Sequence, residues 1–326
     1  MKSITQLGAF VCTLSFIVAG VALANVNTTT VLCNFAPDND LKIPVAKDRA
    51  HATGLDEATY NAVITRVENY YKPLAAAKGG VLTINRMWTN ATVNSDARRT
   101  GKNWYIDAFG GLARYNGMTA DSEMAVLCHE MGHQFGGFPR FSSIFGSNWA
   151  AVEGQADYFA TSKCFRRLAA TDNNVELMSS HSIPSEVVTG CEKTFKSAAE
   201  IALCEREALA GNLLAQILYE LGTSPSSHVI DARTHAKSPK SPKKPADGEP
   251  ATPPSFATPS TAVVAKTYQQ HPLAQCRLDT YFNGAICGAD PTEDFSETEG
   301  VTGACAQEAG ATYGYRPNCW YKPAKN

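Results

Sequence analysis

The stretch CHEMGHQFGG, residues 128–137, sets the strongest constraint on the fold, because it places His129 and His133 four residues apart with Glu130 directly after the first. Residues i and i+4 of an α-helix project from one face, so on a helix both imidazoles can reach a single metal ion. The flanks predict that helix. Thr119 supplies an N-cap, Asp121 and Glu123 put negative charge in the first turn, and Gly136-Gly137 followed by Pro139 ends it. Glu130 sits one position round, where its carboxylate can approach an attacking water without binding the metal itself. A catalytic zinc takes three protein ligands and keeps one position open, so two histidines call for a third donor. NWAAVEGQADYFA provides one: Glu153 completes a His-His-Glu set, and Asp157, one turn later on the same face, can accept the second ring N–H of a ligand histidine. Two helices must then face each other.

His129, Glu130 and His133 in HEMGH, followed by Glu153 and Asp157 in EGQAD, resemble the glutamate-zincin metallopeptidases, the group that includes thermolysin. The interval from the second histidine to the glutamate is similar to the thermolysin type. EGQADYFA is also similar to the E-x-x-A-D signature of membrane-linked zincins, which place it farther along the chain. The likeness lies between residues 129 and 157, specifies a metal centre and says little about substrate. Metzincins instead continue H-E-x-x-H-x-x-G-x-x-H. Gly136 stands at their glycine position, but Pro139, which has no donor for zinc, occupies the third-histidine place, so Gly136 is read as a helix terminator.

The resemblance implies an α+β zincin-like fold: a small, twisted, mostly antiparallel sheet packed on the HExxH helix, with a helical, disulfide-containing C-terminal part. It implies Zn2+ held by His129, His133 and Glu153, with Asp157 behind them, and a polypeptide substrate. Zinc then polarises a water and the scissile carbonyl, while Glu130 takes the water's proton and passes it to the leaving amine. A strand just before the zinc helix is implied as the cleft edge that pairs with extended substrate, and NWYIDAF, residues 103–109, is the expected edge. An oxyanion donor is also needed, for which His271 and Arg277 in HPLAQCRLDTYF are the candidates. Quieter roles compete: a surface or structural histidine, and an arginine paired with Asp279 or a helix end.

The rest of the chain divides around these motifs. Lys2, the apolar run 7–19 and Ala22-Leu23-Ala24 read as a secretory leader over residues 1–24. The run is too short to span a bilayer, so an exported protein is expected, secreted or periplasmic, without stable membrane insertion. A net charge of -2 makes no case for a nucleic-acid partner. Of ten cysteines, Cys12 falls in the leader, which leaves nine for an oxidising compartment, an odd number. Cys128, inside the predicted helix, is the expected buried thiol, and the other eight are expected in disulfides whose pairing is open.

Tyr60, Val63, Ile64, Val67 and Tyr71 recur at helical spacing and predict a helix over 55–76, ended by Gly79-Gly80. VLTINRMWTNATVNSD and GKNWYIDAFGG predict two or three antiparallel strands between 81 and 109. Further helices are predicted over 148–168, with Tyr158 and Phe159 in the core, and over 197–221. A zincin-like catalytic domain is thus expected over residues 25–223. Residues 224–259, including KSPKSPKKPADGEPATPP, are too rich in Pro, Ser and Lys to bury a core and read as a linker or insert. Lys237, Lys240, Lys243 and Lys244 are read there as solvated, with anionic docking as the alternative. Residues 260–326 form a Cys-rich region expected to pack on the catalytic domain. Two other functions compete: a catalytically inactive zincin-fold scaffold, against which an intact Glu130 argues, and an envelope interaction protein working through its Lys/Pro segment.

Overall fold

Alternating apolar residues build a sheet, and two capped helices cover its inner face. The computed structural model describes residues 33–37, 39–46, 53–142, 149–223 and 252–324. The expected leader and the four clustered lysines lie outside the described residues. The elements are β1 (Cys33–Asn34), α1 (Glu57–Ala77), β2 (Val81–Met87), β3 (Ser95–Thr100), β4 (Asn103–Phe109), α2 (Gly110–Ala113) and α3 (Ala120–Phe135). There follow α4 (Glu153–Phe159), α5 (Arg166–Ala169), α6 (Asn174–Met178), α7 (Ser185–Thr194), α8 (Ala198–Thr223) and α9 (Ala274–Ala285). A π-helical stretch, Ala160–Phe165, joins α4 to α5 without a break.

The fold is α+β, with a small mixed sheet in the order β1-β3-β4-β2. β3 pairs antiparallel with β1 and β4, but β2 pairs parallel with β4, in the register Val81 to Asn103. The expectation of antiparallel strands throughout 81–109 is therefore corrected at β2. It is corrected again for the cleft edge: NWYIDAF is β4, which lies between β3 and β2 and has both of its backbone edges occupied. Trp104, Ile106 and Ala108 on β4 and Leu82 and Ile84 on β2 alternate inward onto α1 and α3. From α1, Tyr60, Val63, Ile64, Val67 and Tyr71 are all buried, as their spacing predicts.

Helix α3 begins as its sequence directs: the Thr119 side chain accepts from the backbone N–H of Ser122, whose hydroxyl returns a bond to the Thr119 N–H. Every residue from Ser122 to Phe135 is buried, so this is a central helix enclosed on all sides rather than an amphipathic one. The second helix starts at Glu153, later than periodicity suggests. Before it, the chain runs extended: Phe141 N donates to Ala150 O (3.1 Å), Ala151 N to His133 O (3.1 Å) and Val152 N to Pro139 O (3.0 Å).

Four disulfides tie the helical part together: Cys128–Cys164, Cys191–Cys204, Cys276–Cys319 and Cys287–Cys305. The expectation that Cys128 stays reduced is overturned, because the π-helical stretch crosses α3 and brings Cys164 against it, with Cα atoms 5.4 Å apart. The buried cysteine outside these bridges is Cys33. Within residues 252–259, Ser255 exchanges hydrogen bonds with the Gln275 amide, and the Phe256 ring meets Phe282 at 5.1 Å. No helix among the described residues is long and apolar enough to cross a membrane.

Cys128–Cys164 closes a loop with a sequence separation of 36. Replacing both cysteines by alanine is expected to lower the unfolding free energy by about 2–4 kcal/mol, read from denaturant titrations without reductant. An unchanged midpoint would show that packing alone fixes the crossing.

Candidate metal centre

His129 and His133 project from α3 toward the first turn of α4, and each ring is oriented by the nitrogen that faces away from its neighbour. His129 Nδ1 lies 2.7 Å from Asp157 Oδ1, and His133 Nδ1 lies 2.8 Å from the backbone carbonyl of Ala151. A carboxylate and a carbonyl only accept, so both Nδ1 atoms donate, and both Nε2 lone pairs are left pointing inward. These two Nε2 atoms are 3.1 Å apart. Glu153 Oε2 stands 3.4 Å from the first and 3.7 Å from the second. Three acceptors thus converge on one another with no donor between them.

Such an arrangement could hold a cation. In a tetrahedral site with bonds near 2.0–2.1 Å, neighbouring ligand atoms are about 3.3 Å apart. The three separations bracket that value, so the residues fit a metal ion. Cys33, His133 and Glu153, all buried, form a His/Glu/Cys group whose ligand atoms lie within 4.8 Å of one another and can hold one. Glu153 Oε2 and both oxygens of Glu130 are buried without a hydrogen-bond partner. A buried carboxyl group with nothing to bond is costly and points to a partner at the centre.

Electrostatics follow the geometry. Burial holds His133 down to about 4, so its ring stays neutral and able to donate a lone pair. Burial pushes Glu153 up, but the combined pull of His271, His133 and His129 wins and brings it down to about 2. For Asp157 the same contest ends well below the usual carboxylate range, mainly because of Arg277. Glu130 is raised well above its ordinary value by burial, then by the charges of Asp96 and Glu153. Asp96, opposite Asp107 across the strands, is itself pushed up to about 7 by burial and by that neighbour.

His129, His133, Glu153 and Asp157 are therefore in mutual contact, and Glu130 lies near enough to feel the Glu153 charge. His271 joins them: its Nε2 is 3.4 Å from Glu153 Oε2 and 2.7 Å from the carbonyl oxygen of Asn34, to which it donates. Arg277 is placed differently from expectation. Its guanidinium grips Asp157 through Nε (2.8 Å) and Nη2 (2.7 Å), and Nη1 donates to Phe35 O (2.6 Å). It reaches the centre through Asp157, as a positioning residue. Sequence reasoning missed Cys33, the Ala151 carbonyl and Phe35, whose ring meets His129 edge-on at 5.4 Å. The odd cysteine count signals a thiol but not its position, and no local signal marks the other two.

No protein-family model, curated protein or solved structure matches the chain.

Replacing Asp157 by asparagine is expected to weaken metal binding about 10–100-fold with unchanged stoichiometry, measured by competition with a chromogenic chelator. The same variant strips Arg277 of its buried counter-charge and should cost about 3–5 kcal/mol of stability. Unaltered affinity in the folded variant would mean that Asp157 does not set the His129 ring.

Proposed function

We propose that this protein is an exported zinc-dependent endopeptidase of the glutamate-zincin type, acting on polypeptides. The observation that carries this reading is the convergence of His129 Nε2, His133 Nε2 and Glu153 Oε2 beside a Glu130 carboxyl group that has no other partner. Two imidazoles and a carboxylate at tetrahedral spacing suit zinc. When bound, the ion supplies Lewis acidity toward water and a peptide carbonyl.

The chain's own groups divide the remaining work. Asp157 and the Ala151 carbonyl fix the tautomers of the two histidines, and Arg277 holds Asp157 in place. Glu130 removes a proton from the attacking water and returns it to the leaving amine. His271 donates from Nε2 to a carbonyl oxygen, as it already does to Asn34. Extended substrate pairs with the outer edge of β3, the position that β1 fills in this structure. The four disulfides and the leader-like N-terminal sequence support a secreted or periplasmic location.

Cleavage of quenched peptides is expected to require the metal and to stop on chelation. Glu130→Gln should keep its metal and lose about 10²–10⁴-fold in rate against its parent, whereas Glu153→Ala should lose the metal. Hydrolysis that persists in the folded Glu130→Gln variant would falsify the assigned role.

A further inference from the structure

Strand β1 occupies the place on β3 that the zinc-peptidase reading gives to substrate. It runs antiparallel with Cys33 opposite Ala97 and Asn34 opposite Asp96, and Phe35 N donates to Ser95 O at 2.9 Å. Its next two carbonyls are held by the groups best placed to hold a substrate's: His271 Nε2 donates to Asn34 O, and Arg277 Nη1 to Phe35 O. Asn94 then clasps both the N–H (2.9 Å) and the carbonyl (3.0 Å) of Ala36. The side chain that this strand delivers to the centre is Cys33, which is 2% exposed and belongs to none of the four disulfides.

We propose that residues 33–37 are a built-in inhibitory strand, in which Cys33 sulfur serves as the fourth ligand of the metal ion while the backbone fills the substrate edge. The fold described above is then the latent form of the peptidase, an inference that rests on the zinc-peptidase reading. Cys33 sulfur lies within 4.8 Å of a ring nitrogen of His133 and a carboxylate oxygen of Glu153. In a tetrahedral zinc site the sulfur-to-nitrogen separation is about 3.6 Å, inside that bound. Glu153 Oε2, buried and without a hydrogen-bond partner, independently marks the same point. On binding, the thiol gives its proton to solvent and no electron is transferred.

Burial gives the second line of support. His129 and Glu130 are 0% exposed, His133 1% and Glu153 3%. Cover of that degree is what a strand laid across the centre gives, with His271 beside Glu153 keeping 22% of its side chain exposed. A metal site kept only for stability would be closed in the same way, but it has no use for a Glu130 whose two oxygens lack partners, nor for two donors aimed at successive strand carbonyls.

The test loads the full-length wild type and Cys33→Ser with cobalt(II) and reads spectrum, metal content and hydrolysis of quenched peptides. Wild type is expected to show a near-ultraviolet thiolate-to-cobalt charge-transfer band and little hydrolysis. Cys33→Ser should lose the band, retain its metal and gain roughly tenfold or more in rate, the release expected when a mostly closed population opens. That gain should vanish when Glu130→Gln is added. A metal-loaded wild type without the band overturns the proposal, and this measurement stands even where Cys33→Ser does not fold. Wild type as fast as a folded Cys33→Ser also overturns it, while leaving the peptidase reading intact. The band with no hydrolysis in either protein removes the peptidase reading instead, and latency with it, leaving a closed structural centre.

Discussion

Everything in the centre depends on how closely α3 and α4 approach, and Gly132 sets that distance. A Cβ at this position would lie 2.6 Å from the Ala156 Cα and 2.8 Å from its carbonyl oxygen, backbone atoms that cannot turn aside. With hydrogen there instead, the two backbones meet. One turn before Gly132 is Cys128, bridged to Cys164, and next to it is His133, bonded to Ala151. The contacts therefore run in opposite directions along the two segments, and the helices cross antiparallel. Glu153 falls opposite the histidine pair because Ala156 falls opposite the glycine between them. On the far side, Gly154 presses on the buried indole of Trp320, where an added Cβ would come within 2.2 Å. The C-terminal region thus sets the same crossing from behind.

Charge explains why so polar a centre can be buried. Arg277 neutralises Asp157 through two hydrogen bonds, which leaves Glu153 and Glu130 as the remaining acidic groups. Packed without a cation, this set would keep three converging acceptors and an unbonded carboxyl group, each costing free energy of desolvation with no return. A divalent ion satisfies the acceptors together and balances the charge. Ligand geometry and electrostatic balance are thus both compatible with a cation at this point.

The parts legible in the sequence are those specified within a few turns of helix. The cap at Thr119, the spacing of Tyr60 to Tyr71, and the pairs His129/His133 and Glu153/Asp157 are local, and local rules place them correctly. Pairing at long range was not legible. β2, β3 and β4 follow one another like a meander, yet β2 skips β3 to lie parallel beside β4, which moves the expected cleft edge into the interior of the sheet. An odd number of cysteines announces a thiol. Which one it is depends on the crossing of α3 with the π-helical stretch and on the reach of β1, and neither has a periodicity. The late start of α4 has the same origin: residues 150–152 spend their backbone groups on His133, Pro139 and Phe141 and so cannot enter the helix earlier.

In the proposed latent form, the two donors that hold β1 also link latency to substrate binding. His271 and Arg277 each present a hydrogen to a strand carbonyl, and each can serve one strand at a time. A strand attached to its own chain competes at an effective concentration on the order of millimolar, so a free peptide of ordinary affinity does not displace it unaided. Cys33 strengthens this advantage, since sulfur leaves the metal only when the backbone that carries it leaves β3. On that proposal, opening of the metal position and vacating of the substrate edge are one event, and Glu130 gains access to water only when a peptide can also dock.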